Sequence, residues 1–249
     1  MSNKKDDERI FRNLLCAIRG NNLVNVMSLL EKIDNNILSL VHIDEGTVLM
    51  VAARSGHTDI VKLLLERVSD ETITYGNYYS GTALHLASEK GYTDIVELLL
   101  EKMNDEEINY INCYDDTALH IASKKGYVSI VKLLLQKITD INCRNEYGQT
   151  PLFKAVEIGR GDIVSLLISK SNEEVIEKVI NNIGTGGNTL LHIASEKGYV
   201  DMVELLLERM SNEQINAINI YGRTALSIAM INSDEDIIEL IEKKLNDNG

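Results

Sequence analysis

The chain has 249 residues, 44% of them hydrophobic, with a formal net charge of -13, one Pro and no Trp. That acidic balance argues against a general binder of nucleic-acid phosphates and against docking on an anionic membrane. Three cysteines without a CxxC spacing exclude a disulfide framework and read as reduced thiols. The opening MSNKKDDERIFRN lacks the apolar stretch of a secretory leader, and no apolar run reaches the ~18 residues of a membrane span. A cytoplasmic address is therefore the expectation.

In chain order, residues 7–40 form a degenerate first unit. Its AIRGNNLVNVMSLL (17–30) aligns with the later units if Asn21 stands where they carry Gly, and Asn tolerates the left-handed conformation better than most residues. From Thr47 onward a Thr-x-Leu motif recurs at Thr82, Thr117, Thr150, Thr189 and Thr224, at spacings of 35, 35, 33, 39 and 35. Five residues after each Thr comes Ala52, Ala87, Ala122, Ala155, Ala194 or Ala229. Four residues further comes Gly56, Gly91, Gly126, Gly159 or Gly198, with Ser233 in the last unit.

Each copy predicts two helices. The Thr hydroxyl caps the first, Leu84 and Ala87 share one face, and Gly91 ends it with positive φ. A second apolar stripe follows in Ile95, Val96, Leu99 and Leu100. One such pair cannot bury its own apolar face, whereas stacked copies can. After the second helix, SDETI (69–73), NDEEI (104–108) and SNEQI (211–215) join a capping side chain to early carboxylates, which predicts an extra helical turn. SNEEVIEKVINN (171–182) predicts a longer one, and TDINCRN (139–145) predicts none.

With its Thr-Pro-Leu start, Ala, Gly and Val-x-x-Leu-Leu stripe, GQTPLFKAVEIGRGDIVSLL (148–167) resembles the ankyrin-repeat family, as does GRTALSIA (222–229). The likeness runs through nearly the whole chain. It departs in the single Pro, in units longer than the usual repeat, and in degraded termini. It implies an all-α ankyrin-repeat solenoid of about seven helix-turn-helix units with short β-turn fingers, in one domain over 1–249. Residues 7–40 and 221–249 would be capping repeats around central repeats 41–220, the last made polar by its charged final helix.

His85, His120 and His192 recur at whole-repeat spacing, and successive units lie about 10 Å apart, so the three do not converge on one ion. Met50, Phe153 and Ser227 fill the same slot, so the imidazoles are expected to tie neighbouring turns together. The chain shows no Ser–His–Asp arrangement, phosphate loop or paired-Cys motif. GTGG (184–187) reads as the turn of a finger. No enzyme activity, metal or cofactor is expected.

Tyr92, Tyr127 and Tyr199 follow the helix-ending Gly, where a loop-packing role is expected. Tyr79, Tyr114, Tyr147 and Tyr221 stand three residues before the Thr, joined by Tyr78. In the family that position is the exposed finger tip, and Tyr is a favoured anchor of interfaces. Arg54, Lys90, Lys124, Lys125 and Lys197 close the first helices, against Glu89, Glu157 and Glu196, while Asp44, Glu45, Asp115, Asp116 and Glu146 lie in the fingers. The expected site is thus Tyr78, Tyr79, Lys90, Tyr114, Asp116, Lys124, Lys125, Tyr147 and Tyr221, binding a protein partner along the concave face and finger tips. The protein itself is expected as a monomer. The alternative is a host-directed effector or inhibitor that blocks a target protein and reaches its host by a non-classical route.

Overall fold

A computed structural model describes residues 4–77, 79–171 and 185–247. The chain divides into two compact units, one of residues 1–113 with 136–139, the other of residues 114–135 with 140–249. Helix dominates the described residues, and strand is confined to a hairpin pairing Gly76–Asn77 with Gly81–Thr82.

The first unit begins with a helix over Lys4–Arg19, followed by Leu23–Leu30 and a short turn at Asn35–Leu38. Two full repeats follow, Val48–Ser55 with Thr58–Leu65, and Ala83–Lys90 with Thr93–Leu100. The first helix of each repeat packs on that of its neighbour, 4–19 against 48–55 and 48–55 against 83–90. In the second unit, the first helices Ala118–Lys125, Pro151–Glu157, Leu190–Lys197 and Ala225–Asn232 pack in succession. Their outer partners are Val128–Lys137, Gly161–Lys170, Val200–Leu207 and Glu235–Asp247.

Local chemistry sets these boundaries. Thr47, Thr117, Thr150, Thr189 and Thr224 accept the main-chain N–H three residues on, at 3.1–3.5 Å, which satisfies an orphan donor of the first turn. At the other end, the carbonyls of Ala17, Ala52, Ala87, Ala122, Ala155, Ala194 and Ala229 each accept an N–H five residues on. Such a bond requires the intervening residue in the left-handed region. Gly56, Gly91, Gly126, Gly159 and Gly198 adopt it, and so do Asn21 and Ser233, with φ of 50° and 58°. The unconventional residues of the first and last copies thus do the work of the Gly.

The extra turns are present over Asp70–Thr74, Asp105–Ile108 and Asn212–Ile215, with Asn104 and Ser211 forming reciprocal caps with Glu107 and Gln214. Residues 139–145 carry no helix. Apart from Ser171, the longer insertion expected over 171–182 lies outside the described residues. A fourth short turn, Asn35–Leu38, was not expected. Asp34 stands at the cap and the buried Leu38, four residues on, takes the place of the Ile in the other three, but without the run of carboxylates that marks them.

Leu99 and Leu134 are fully buried, as are Ile95, Ile130 and Leu206 on equivalent stripes. The final helix, Glu235–Asp247, buries Ile237 and Ile241 and turns its charges outward. The first helix of the same repeat, ALSIAMIN, carries no charge and leaves Met230 and Ile231 exposed.

Candidate functional site

Four of the six Thr residues have an asparagine five positions before them, in the finger. Asn145 Oδ1 accepts the N–H groups of Tyr147 and Gln149 at 3.0 and 2.9 Å, and its Nδ2 donates to Asp116 Oδ1 at 2.8 Å. Asn219 repeats the arrangement, accepting from Tyr221 and Arg223 at 3.0 Å and donating to Asn188 Oδ1 at 2.8 Å. Asn77 accepts from the main chain and hydroxyl of Ser80. One side chain therefore closes the turn of its own finger and ties it to the preceding one. Asn77, Asn112, Asn145 and Asn219 share this register in the sequence, a signal that could have marked these hubs and that the sequence reading did not use.

The closed turn projects a tyrosine. Tyr79, Tyr114, Tyr147 and Tyr221 are 78%, 51%, 52% and 72% exposed, large fractions for aromatic side chains. Gly148 and Gly222, each just after its Tyr, have φ near 70°, which the tight return of the chain requires. In the second unit Tyr114 and Tyr147 sit on successive fingers, and Glu146 N–H donates to Tyr114 O at 3.0 Å. The Glu146 carboxylate accepts the Tyr147 hydroxyl, and this bond and the nearby charges raise the phenol above its ordinary pKa. Tyr78 lies outside the described residues.

Lys124 and Lys125 are exposed at the far end of helix 118–125. Eight residues at 1.5 Å rise put them about 12 Å along the axis from the finger. Tyr114, Tyr147 and Asp116 therefore come together, while the two lysines stand apart from them. Asp116 has a structural tie through Asn145. In the first unit Tyr79 is on a finger and Lys90 is exposed at the end of helix 83–90.

The histidines are built into the frame. Nδ1 of His85, His120 and His192 accepts the N–H of Thr82, Thr117 and Thr189, each at 3.2 Å. Nε2 of His120 and of His192 then faces the carbonyls of Gln149 and Arg223 at 3.0 and 2.8 Å, so the network assigns the ring proton to Nε2. Burial lowers the pKa of both rings. Lys154, buried where other repeats carry Val51, Leu86 or Ile121, donates to Gln149 Oε1. Among the described residues, no three His, Cys, Asp or Glu side chains gather as a metal site.

After three of the helix-ending glycines, Gly91, Gly159 and Gly198, the next residue packs the preceding repeat of its own unit. The ring of Tyr92 lies where a Cβ on Gly56 would be, 2.6 Å from that position, and Tyr199 covers Gly159 at 2.7 Å in the same way. Arg160 covers Gly126 and is held by Asp162 through two hydrogen bonds of 3.0 and 2.8 Å.

A family model for ankyrin repeats in three copies matches residues 14–112, 103–179 and 169–248. The chain belongs to the ankyrin-repeat family. Repeats of this family generally serve as protein–protein interaction modules. Among curated relatives, an ankyrin repeat domain-containing protein of Monkeypox virus is 39% identical over 32% of this chain and 18% of its own length. An ankyrin repeat-containing protein of Arabidopsis thaliana is 30% identical over 37% of this chain and 18% of its own. The chain thus spans less than a fifth of these relatives. The ankyrin repeat domain of Bcl-3, described as a unique member of the IkappaB protein family, superposes with a TM-score of 0.76 at 24% identity. That match covers 92% of this chain and 97% of the other, and shows the fold. No helix among the described residues is long and apolar enough to cross a membrane.

Proposed function

We propose that this ankyrin-repeat protein is a binding scaffold or adaptor that recognises a protein partner through its finger tips and the adjoining side of its first helices, without catalysis. The observation that carries the reading is the outward tyrosine on four fingers, with the turns of Tyr147 and Tyr221 closed by Asn145 and Asn219. A ring fixed on a rigid turn loses little entropy on binding and presents both apolar area and a hydroxyl. Tyr78, Tyr79, Tyr114, Asp116, Tyr147 and Tyr221 supply contact, while Lys90, Lys124 and Lys125 mainly set association rate and salt sensitivity. A partner covering about 800 Å² of such a surface makes an interface of standard size.

Affinity capture from a cell lysate tests this, comparing the natural chain with the Tyr114→Ala, Tyr147→Ala double variant. The reading expects a partner retained by the first and lost by the second. A host-directed inhibitor would use the same surface, and the two readings separate on whether the captured protein loses its activity when bound.

A further inference from the structure

The last repeat differs from those before it in what its trailing side presents. Two, three and six residues after the Thr, the second unit buries Leu119, His120 and Ser123, then Leu152, Phe153 and Val156, then Leu191, His192 and Ser195. In each case the first helix of the following repeat packs beside them. The corresponding residues of the last repeat are Leu226, Ser227 and Met230. Leu226 and Ser227 are only half-buried and Met230 is 50% exposed. One position on, where the other repeats carry Arg54, Glu89, Lys124, Glu157 and Glu196, the last carries Ile231, 62% exposed. Ser227, Met230 and Ile231 form one stripe at helical spacing. Tyr221, Ile228 and Ile231 border a shallow groove of about 160 Å³, together with Arg223, Glu196 and Asn232.

The outer helix behaves oppositely. Glu242 stands exposed where Leu135, Ile168 and Leu207 are buried. One more repeat of the same kind stacked here would bury that carboxylate, at a high cost. Only the half of the end face around helix 225–232 is apolar.

We propose that this end face is a self-association surface, covered by a second copy of the same chain with the two 225–232 helices packed antiparallel about a twofold axis. The helix is its own complement, being uncharged along its length, as an isologous contact requires. Its flanks fit the antiparallel arrangement. Arg223 precedes the helix, while Asp234, Glu235 and Asp236 follow it. Antiparallel packing sets the Arg223 of each copy against the acidic run of the other, whereas parallel packing opposes like charges. The opposite end of the chain is a poor match, because helix 4–19 exposes Asp6, Glu8, Arg9 and Arg12. Head-to-tail stacking would bury those charges, so the contact closes as a dimer. This departs from the monomer expected from sequence and shares only Tyr221 with the finger-tip reading.

Sedimentation equilibrium of the purified 249-residue chain, 27.8 kDa, tests the proposal. A reversible approach to twice that mass is expected as concentration rises. The Met230→Lys, Ile231→Lys double variant, altered only at exposed positions, should weaken dimerisation at least about tenfold with an unchanged melting temperature. Arg223→Glu should weaken it as well, and adding Glu235→Arg and Asp236→Arg to that variant should restore it. A monomer up to about 100 µM, a ladder of masses beyond the dimer, or a dimer indifferent to these substitutions would overturn the proposal.

Discussion

His120 Nε2 lies 3.0 Å from the carbonyl oxygen of Gln149, 29 residues away in the next repeat, while its Nδ1 receives the N–H of Thr117. One neutral imidazole thus satisfies a helix cap and a finger of the next repeat, and His192 does the same with Thr189 and Arg223. Protonating Nδ1 would set two donors against each other.

The pH dependence follows from that geometry. Both rings have folded pKa values below 6.5, burial being the largest cause, with Asp116 opposing it and Lys154 adding to it at His120. The unfolded chain therefore binds more protons in the window below 6.5. Their contribution is fully present above pH 6.5 and is lost as pH falls through that value toward the folded pKa. Urea denaturation at pH 7.5 and pH 5.5 should show a larger drop for the natural chain than for the His120→Phe, His192→Phe variant, whose replacement side chain already fills this slot as Phe153. Equal drops would mean that the rings keep their ordinary titration.

Three serines carry an opposite lesson. Ser88, Ser123 and Ser195 are fully buried, and among the described residues their hydroxyls find no hydrogen-bond partner. Ala53 occupies the equivalent position of an earlier repeat. An unpaired buried hydroxyl costs about 1–3 kcal/mol, so each Ser→Ala change should raise stability by about 1 kcal/mol. Thermal or urea denaturation reads this directly, and a loss of stability would show that the hydroxyl has a partner.

The glycines with positive φ should not be equivalent. Gly56 and Gly222 both have positive φ, 76° and 70°, but a Cβ at Gly56 meets the ring of Tyr92 whereas one at Gly222 meets nothing within 4 Å. Gly222→Ala should cost only the left-handed strain, about 1–2 kcal/mol. Gly56→Ala should cost more, because the ring must shift. Equal losses would show that Tyr92 yields freely. Gly126→Val adds a β-branched residue at φ of 78° and is expected to destabilise through the backbone.

Asn145 is the hub that sets a finger. Asn145→Ala strands the N–H groups of Tyr147 and Gln149 and removes the donor to Asp116. A loss of about 1–3 kcal/mol is expected, accompanied by faster amide exchange at Tyr147. Normal stability with normal exchange protection would remove Asn145 from that role.

The frame was largely legible because its signals are local. A Thr, an Ala five residues later and a Gly after that specify cap, close approach and stop, and even Asn21 and Ser233 could be placed by register. The turns at 70–74, 105–108 and 212–215 were readable for the same reason, since Asn104 and Ser211 bond to residues three positions away. The finger hubs were harder. Asn145 looks like any turn residue until its Nδ2 is seen to reach Asp116, 29 residues earlier. Asp116, read as part of an acidic binding rim, has a tie to the next finger for the same reason. The trailing face of the last repeat was hidden too, because Met230 and Ile231 read as ordinary stripe residues, and only their position in the fold shows them exposed.

The central claim is that the finger-tip tyrosines bind a protein rather than brace the fold, and it rests most directly on one comparison. Tyr114 and Tyr147 are replaced together by Ala, and partner capture is measured beside the melting temperature. The account predicts at least about a tenfold loss of affinity with little change in melting. Retained affinity with a normal fold would move the site away from the fingers, and a large fall in melting temperature would show that the rings are structural.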